Sequence, residues 1–185
     1  MSSAAIRILV AASSLACFLP CLIAQPHYAT DGQLTLPSDY REWVFLSSGL
    51  GMSYAPMAGM APAFTNVFVN PAAYRSFLSN GTWPDKTMLV LEIRASASKG
   101  SINKGGSYQS DVLGIEGEVK DLAKFGGNGW AFFGFGKSST GKMLARSEDC
   151  YACHAEHAAV DNTFVQFYPV LIEIAKQKGT VKGDR

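Results

Sequence analysis

Two of the four cysteines and two of the three histidines of this 185-residue chain lie within one short stretch near the C-terminus. The run from Cys150 to Cys153 and His154 has the spacing C-x-x-C-H. Two thiols at this spacing lie on one helical turn, and each can add to one of the two vinyl groups of a porphyrin. The imidazole of His154 then reaches the iron as a ligand. The motif therefore predicts a chain folded around one covalently attached haem c.

Three other interpretations of the motif stay open at this point. A thioredoxin-like cysteine pair opens a helix early in a βαβ unit, whereas this pair follows a run of predicted strands. A zinc site needs about four ligands, and only His27 and His157 remain to complete one. A structural disulfide would give no reason for the adjacent His154.

The N-terminus has the composition of a targeting segment. Residues 1–24 carry one charge, Arg7, followed by a short apolar run. This pattern predicts a secretory signal peptide over residues 1–24, and a periplasmic or secreted mature protein. An uncleaved membrane anchor is an alternative, but the run is short for a bilayer span and is broken by Pro20. A lipid-modified Cys17 or Cys21 is a further alternative.

The charge balance restricts the partners of the chain. The net charge is +1, which argues against nucleic acid or an anionic membrane surface as the main partner. Loss of residues 1–24 would leave Cys150 and Cys153 as the only cysteines. Export would also place these two thiols in an oxidising compartment.

The order of strand and helix signals predicts the fold class. Asn70, Pro71 and Gly81 indicate the cap, first turn and end of a helix, and Gly179 indicates the end of another. Alternating apolar segments follow one another without long helices between them, which predicts an α+β fold with a mainly antiparallel sheet and a few short helices. We expect a lead-in at 25–35 and a single haem-binding domain at 36–180. The predicted strands include FTNVFV, KTMLVLEIRAS, YQSDVLGIEGEVKD and GWAFFGFG, with a polar connector over 137–149 and a short helix near 38–43.

The sixth coordination position of the iron has no obvious ligand in the sequence. No methionine follows His154, and His157 lies one turn from it on the same side of the haem. The arrangement favours a five-coordinate iron with one open face, which binds small ligands. A methionine from upstream remains an alternative, from among Met52, Met57, Met60, Met88 and Met143.

Several segments together resemble the cytochrome P460 family, which includes the cytochromes c′-beta. They are LPSDYREWVF, NVFVNPAAYRSFLSNGTWPDKTMLVLE, GWAFFGF and CYACH…FVQFYPVL, and they span about residues 36–171. The resemblance implies a largely antiparallel β fold assembled as a homodimer. It also implies a haem attached by Cys150 and Cys153, ligated by His154 and open on its other face.

The resemblance implies two groups within the family, and this sequence resembles the c′-beta group. In P460 proteins that oxidise hydroxylamine, a Lys is cross-linked to the porphyrin and a Glu lies on the distal side. The matching residues here are Leu91 and Val160, neither of which can supply an amine or a base. Phe64 is the best match for an aromatic cap over the iron. Thr65 stands where an Arg is sometimes found.

These features predict a protein that binds nitric oxide, carbon monoxide or similar gases, for scavenging or sensing. An apolar pocket over the iron favours neutral diatomic ligands and offers no base for hydroxylamine oxidation. A hydroxylamine-oxidising enzyme of the P460 type is one alternative. A periplasmic electron carrier with a redox partner protein is the other.

Overall fold

Seven strands form one antiparallel sheet in the computed structural model, which describes residues 25–52 and 61–183. The order across the sheet is β1-β7-β6-β5-β4-β3-β2, so β2 to β7 form a meander and β1 closes against its last strand. The predicted α+β class with a mainly antiparallel sheet is confirmed. The strands are β1 (Leu34–Thr35), β2 (Val44–Leu50), β3 (Ala63–Val69), β4 (Met88–Ala97), β5 (Tyr108–Lys120), β6 (Trp130–Gly136) and β7 (Thr140–Met143).

The helices of the described residues are short, and local sequence signals set their ends. Pro71 lies in the first turn of α1, and Gly81 ends that helix in the left-handed region at φ 74°. Gly179 ends the last helix in the same way at φ 67°. Asn70 stands at the predicted cap position, but its side chain accepts a hydrogen bond from the Met88 amide (2.9 Å) instead of capping the helix. The helices are α1 (Pro71–Asn80), α2 (Leu122–Phe125), α3 (Asp149–His157) and α4 (Pro169–Lys178), with 3₁₀ turns at Tyr40–Glu42 and Val165–Phe167.

The first face of the sheet, here called the helix face, carries α1, α3 and α4. Side chains alternate between the two faces along each strand, so cross-strand pairs in register share a face. Val69, Leu89 and Trp130 point to the helix face and pack there against α1 and α4. Phe77 of α1 is fully buried in this core, with its ring 4.3 Å from that of Trp83.

The second face, here called the lead-in face, is covered by the N-terminal segment. Leu34 of β1 is fully buried there against Val90, Val119 and Phe133. The predicted lead-in at 25–35 therefore contributes a strand and a core residue to the sheet.

A buried charge network lies at one end of the lead-in face. Glu92 is 2% exposed and accepts hydrogen bonds from the Tyr40 hydroxyl, from Arg41 Nε (2.9 Å) and from Arg94 Nε. Arg94 also donates to the Ser110 carbonyl (2.8 Å). Although burial raises the pKa of Glu92, the donors from Arg94, Tyr40 and Arg41 outweigh burial and lower it. This buried carboxylate is therefore ionised and fully paired.

The predicted signal peptide lies outside the described residues. Within residues 25–52 and 61–183, none of the helices has the length and apolar character needed to cross a bilayer.

Candidate functional site

The C-x-x-C-H motif forms the middle of α3, as its spacing predicted. Cys153 and His154 lie three and four residues after Cys150, so both lie beside it on one side of the helix. All three side chains are half-buried, and neither cysteine forms a disulfide within the described residues. Burial raises the pKa of the Cys150 thiol, and the nearby charge of Glu116 raises it further. The Cys150 side chain is therefore a neutral thiol.

The ring of His154 is held by two aromatic side chains and a carbonyl. Its centroid lies 4.4 Å from that of Phe132 in β6 and 4.4 Å from that of Phe164. Nδ1 lies 2.8 Å from the carbonyl oxygen of Asn162. Since a carbonyl can only accept, Nδ1 carries the proton, and the lone pair of Nε2 is left for a metal. This is the tautomer that a metal-ligating histidine needs.

The carbonyl that fixes His154 belongs to a turn with unusual backbone angles. Asp161 and Asn162 both adopt the left-handed region, at φ 48° and 63°. Such angles are costly for residues other than glycine and persist where neighbouring contacts enforce them. Here the Asp161 carboxylate accepts hydrogen bonds from Lys120 Nζ (2.5 Å) and Trp130 Nε1 (3.3 Å). The side chain of Asp161 therefore anchors the turn to β5 and β6.

A second acceptor, Glu118 of β5, lies beside the same ring nitrogen. Its Oε1 is 3.2 Å from His154 Nδ1, and the two side chains are 13% and 19% exposed. By the geometry of the described residues, this buried oxygen makes no hydrogen bond of its own. Burial raises the pKa of the Glu118 carboxyl. No pattern in the sequence predicts this contact, because alternating glutamates at 116 and 118 are typical of a solvent-facing strand surface.

The three residues predicted from the resemblance to line a pocket lie in different places. Leu91 is half-buried and pairs with Val67 and Glu116, on the same sheet face as Glu118. Val160 is 1% exposed and belongs to the core beneath the turn after α3. Phe64 pairs with Arg94, whose side chain lies on the lead-in face. Leu91 thus shares the face of His154. Phe64 lies on the opposite face of the sheet, and the contacts of Leu91, Val160 and Phe64 with a haem stay predictions.

The other predicted ligand candidates are also placed. His157 is exposed at the end of α3, and His27 contacts the Thr35 hydroxyl (3.1 Å). Met88 and Met143 lie on the lead-in face, away from His154. Met52 packs against Gly49, next to Thr65 on the helix face. Met57 and Met60 lie outside the described residues. Across 25–52 and 61–183, no three His, Cys, Asp or Glu side chains are grouped to hold a metal ion.

An antiparallel sheet, with a helix on one face that presents two thiols and an oriented imidazole, is an arrangement that can hold a haem. The family model for cytochrome P460 matches residues 37–165. This match covers more than half of the chain, which therefore belongs to the cytochrome P460 family. Membership implies a haem cofactor, and the residues fit it, since a histidine with a free Nε2 lone pair is a donor that haem iron accepts. The comparison with curated proteins found no match.

Proposed function

We propose that the protein is an exported mono-haem cytochrome of the c′-beta type that binds nitric oxide or a similar small neutral gas. In this proposal Cys150 and Cys153 hold the haem through thioether bonds, and His154 binds the iron through Nε2. The haem supplies an iron centre with one coordination position for the gas. The chain holds the haem and shapes the surface beside it.

The observation that carries this proposal is the state of His154. Its Nδ1 donates to the Asn162 carbonyl, and its ring is fixed between Phe132 and Phe164. A ring fixed in this tautomer, one residue after a free thiol, meets the needs of an axial haem ligand. A structural disulfide at Cys150 and Cys153 would not need an oriented imidazole.

Part of the helix face of the sheet supports an apolar ligand environment. Val67, Leu91 and Ile93 lie on the helix face, and all three are half-buried. Apolar side chains favour neutral diatomic molecules and cannot accept the protons that hydroxylamine oxidation releases. Leu91 also has no amine with which to form the porphyrin cross-link of the hydroxylamine oxidases.

The test is an absorption spectrum of the purified holoprotein, ferric and ferrous, with and without nitric oxide. We expect a high-spin ferrous form with a c-type Soret band that shifts when nitric oxide is added. His154→Ala should abolish this form, whereas His157→Ala is the matched control, since His157 is 58% exposed three residues along the same helix. Equal spectra for the two variants would refute ligation by His154.

The mass of the haem-bearing peptide tests whether the porphyrin carries a cross-link in addition to its two thioether bonds. Simple addition of two thiols to the porphyrin predicts the mass of the peptide plus haem. A further cross-link, or a ferrous band displaced far to the red, would overturn the c′-beta assignment and favour hydroxylamine oxidation.

A second candidate function, electron transfer to a redox partner protein, is favoured by the position of Met52. Its side chain packs against Gly49 and beside Thr65, on the sheet face that also carries Leu91. A thioether bound at the sixth position would give a low-spin iron that passes electrons and excludes gases. A low-spin spectrum that Met52→Ala converts to high spin would establish this function in place of gas binding.

Export and assembly are part of the proposal and have separate tests. N-terminal sequencing of the secreted protein should show that residues 1–24 are absent. Light scattering should give the mass of a homodimer, as the resemblance implies. Phe45 and Leu50 of β2, a sheet-edge strand, are 53% and 49% exposed and offer an apolar surface to a second copy.

A further inference from the structure

We infer that Glu118 is a positioning residue for the haem, acting as a second hydrogen-bond acceptor on Nδ1 of His154. The inference rests on the proposed function, because it requires His154 to bind iron. It assigns to Glu118 the control of how strongly the imidazole donates to the metal.

The geometry that supports this role is the position of two acceptor oxygens beside one N–H group. Nδ1 of His154 has one hydrogen, which points to the Asn162 carbonyl at 2.8 Å. Glu118 Oε1 lies 3.2 Å from the same nitrogen, which is within reach of a three-centre bond. By strict hydrogen-bond geometry this oxygen has no partner among the described residues, and Nδ1 of His154 is the donor beside it. The histidine is therefore the group to which the buried oxygen is directed.

The surroundings of Glu118 show why this contact needs an explanation. A buried polar atom without a partner destabilises the fold, so such atoms are rare and are retained where they have a use. The neighbouring residues of β5 do not pair with Glu118. Glu116, two residues earlier on the same face, is exposed to solvent. Lys120, two residues later, is bound to Asp161 and to the Trp83 carbonyl.

The chemical consequence follows from the two acceptors beside Nδ1. An acceptor that draws on Nδ1–H increases the basicity of Nε2 and strengthens its bond to the metal. A stronger donor stabilises ferric iron over ferrous iron. Glu118 should therefore lower the midpoint potential of the haem and keep His154 bound when a ligand binds on the opposite side.

The experiment compares the wild-type holoprotein with three variants. E118Q keeps an oxygen acceptor without charge, and E118L removes the acceptor at similar volume. E116Q is the matched control, because it removes a charge from the same face of β5 without touching Nδ1. The readouts are the midpoint potential and the iron–histidine stretching frequency of the ferrous form.

We expect the midpoint potential to rise in the order wild type, E118Q, E118L. For E118L the ferrous-to-ferric ratio at a fixed potential should rise by about tenfold. This is the size of the smaller effects seen when a hydrogen-bond partner of a metal ligand is removed. The stretching frequency should fall in the same order. E116Q removes a charge that acts on His154 only through space, so it should shift both readouts less than E118Q does.

Two results would overturn the inference. The first is an E118L protein with the potential and stretching frequency of wild type. The second is an E116Q shift as large as that of E118Q, which would indicate a general charge effect. Both leave the proposed function intact, whereas a wild-type protein without histidine-bound haem would refute the proposed function itself.

Discussion

The two faces of the sheet each bury a glutamate, and they treat it in opposite ways. Glu92 on the lead-in face receives hydrogen bonds from Tyr40, Arg41 and Arg94, and its pKa is lowered. Glu118 on the helix face has a buried oxygen 3.2 Å from Nδ1 of His154 that makes no hydrogen bond among the described residues, and burial raises its pKa. The two residues lie on neighbouring strands of one sheet.

The difference shows on which face the chain supplies all the hydrogen-bond partners of its buried carboxylate. A carboxylate that has all its donors supplied by its own chain stabilises the fold and needs nothing further. A buried oxygen without a full hydrogen bond, next to an oriented imidazole, contributes little to the stability of the fold, and we have proposed that it acts on His154 instead. The lead-in face is therefore structural, whereas the helix face beneath α3 is the face to which we assign the haem in our proposal.

The largest expected effect comes from two adjacent phenylalanines of β6. Phe133 is 1% exposed on the lead-in face, and Phe132 is 6% exposed on the helix face, against His154. Phe133→Ala should destabilise the protein by about 4 kcal/mol through the cavity it leaves, with an unchanged haem spectrum. Phe132→Ala should also destabilise the protein and should shift the spectrum, because His154 loses one of its two aromatic contacts. Urea unfolding and absorption spectra measure the two effects. A spectral shift in Phe133→Ala as large as in Phe132→Ala would remove the distinction between the faces.

The next effect is the loss of the carboxylate on the lead-in face. Glu92→Leu leaves Tyr40, Arg41 and Arg94 without their acceptor, which should destabilise the protein by about 3 kcal/mol. We place the effect at the low end of the range because the Arg41 side chain is 51% exposed and can turn to water. Thermal and urea unfolding measure it. A change below about 1 kcal/mol would mean that the network contributes little to stability.

A smaller effect is the pH dependence that Glu92 contributes. Its folded pKa lies below the ordinary value of 4.5, so the unfolded chain binds the proton more tightly. The contribution is complete above pH 4.5 and is lost as the pH falls through the folded pKa. The stability difference between wild type and Glu92→Leu should therefore shrink below pH 4.5. A difference that stays constant down to pH 3, by urea unfolding, would contradict the lowered pKa.

Local signals in the sequence predicted the parts of the fold that depend on few residues. Pro71 and Gly81 mark the first turn and the end of α1. The spacing of Cys150, Cys153 and His154 indicates the helix that α3 forms. These features depend on backbone angles and spacing within one or two helical turns, and no distant contact is needed to set them.

Features that depend on strand register could not be predicted in the same way. The polar segment Thr140–Met143 pairs with β6 as β7, although its composition indicates a connector. The face of Phe64 follows from its pairing with Arg94, and the burial of Glu118 follows from α3 lying over β5. A shift of one residue in register would reverse either face, so alternation alone does not give the site.

The smallest expected effect gives the sharpest contrast between the faces. Glu118→Leu removes a carboxyl oxygen that has no hydrogen bond of its own among the described residues, at a volume the site already accommodates. Replacement of an unsatisfied buried polar group by an apolar one of similar size is close to neutral or stabilising. We therefore expect the free energy of unfolding to change by less than about 1 kcal/mol, against about 3 kcal/mol for the same substitution at Glu92. Urea unfolding of the two variants side by side measures this difference. If Glu118→Leu were as destabilising as Glu92→Leu, Glu118 would be a structural residue, and the helix face would be as complete without its cofactor as the lead-in face is.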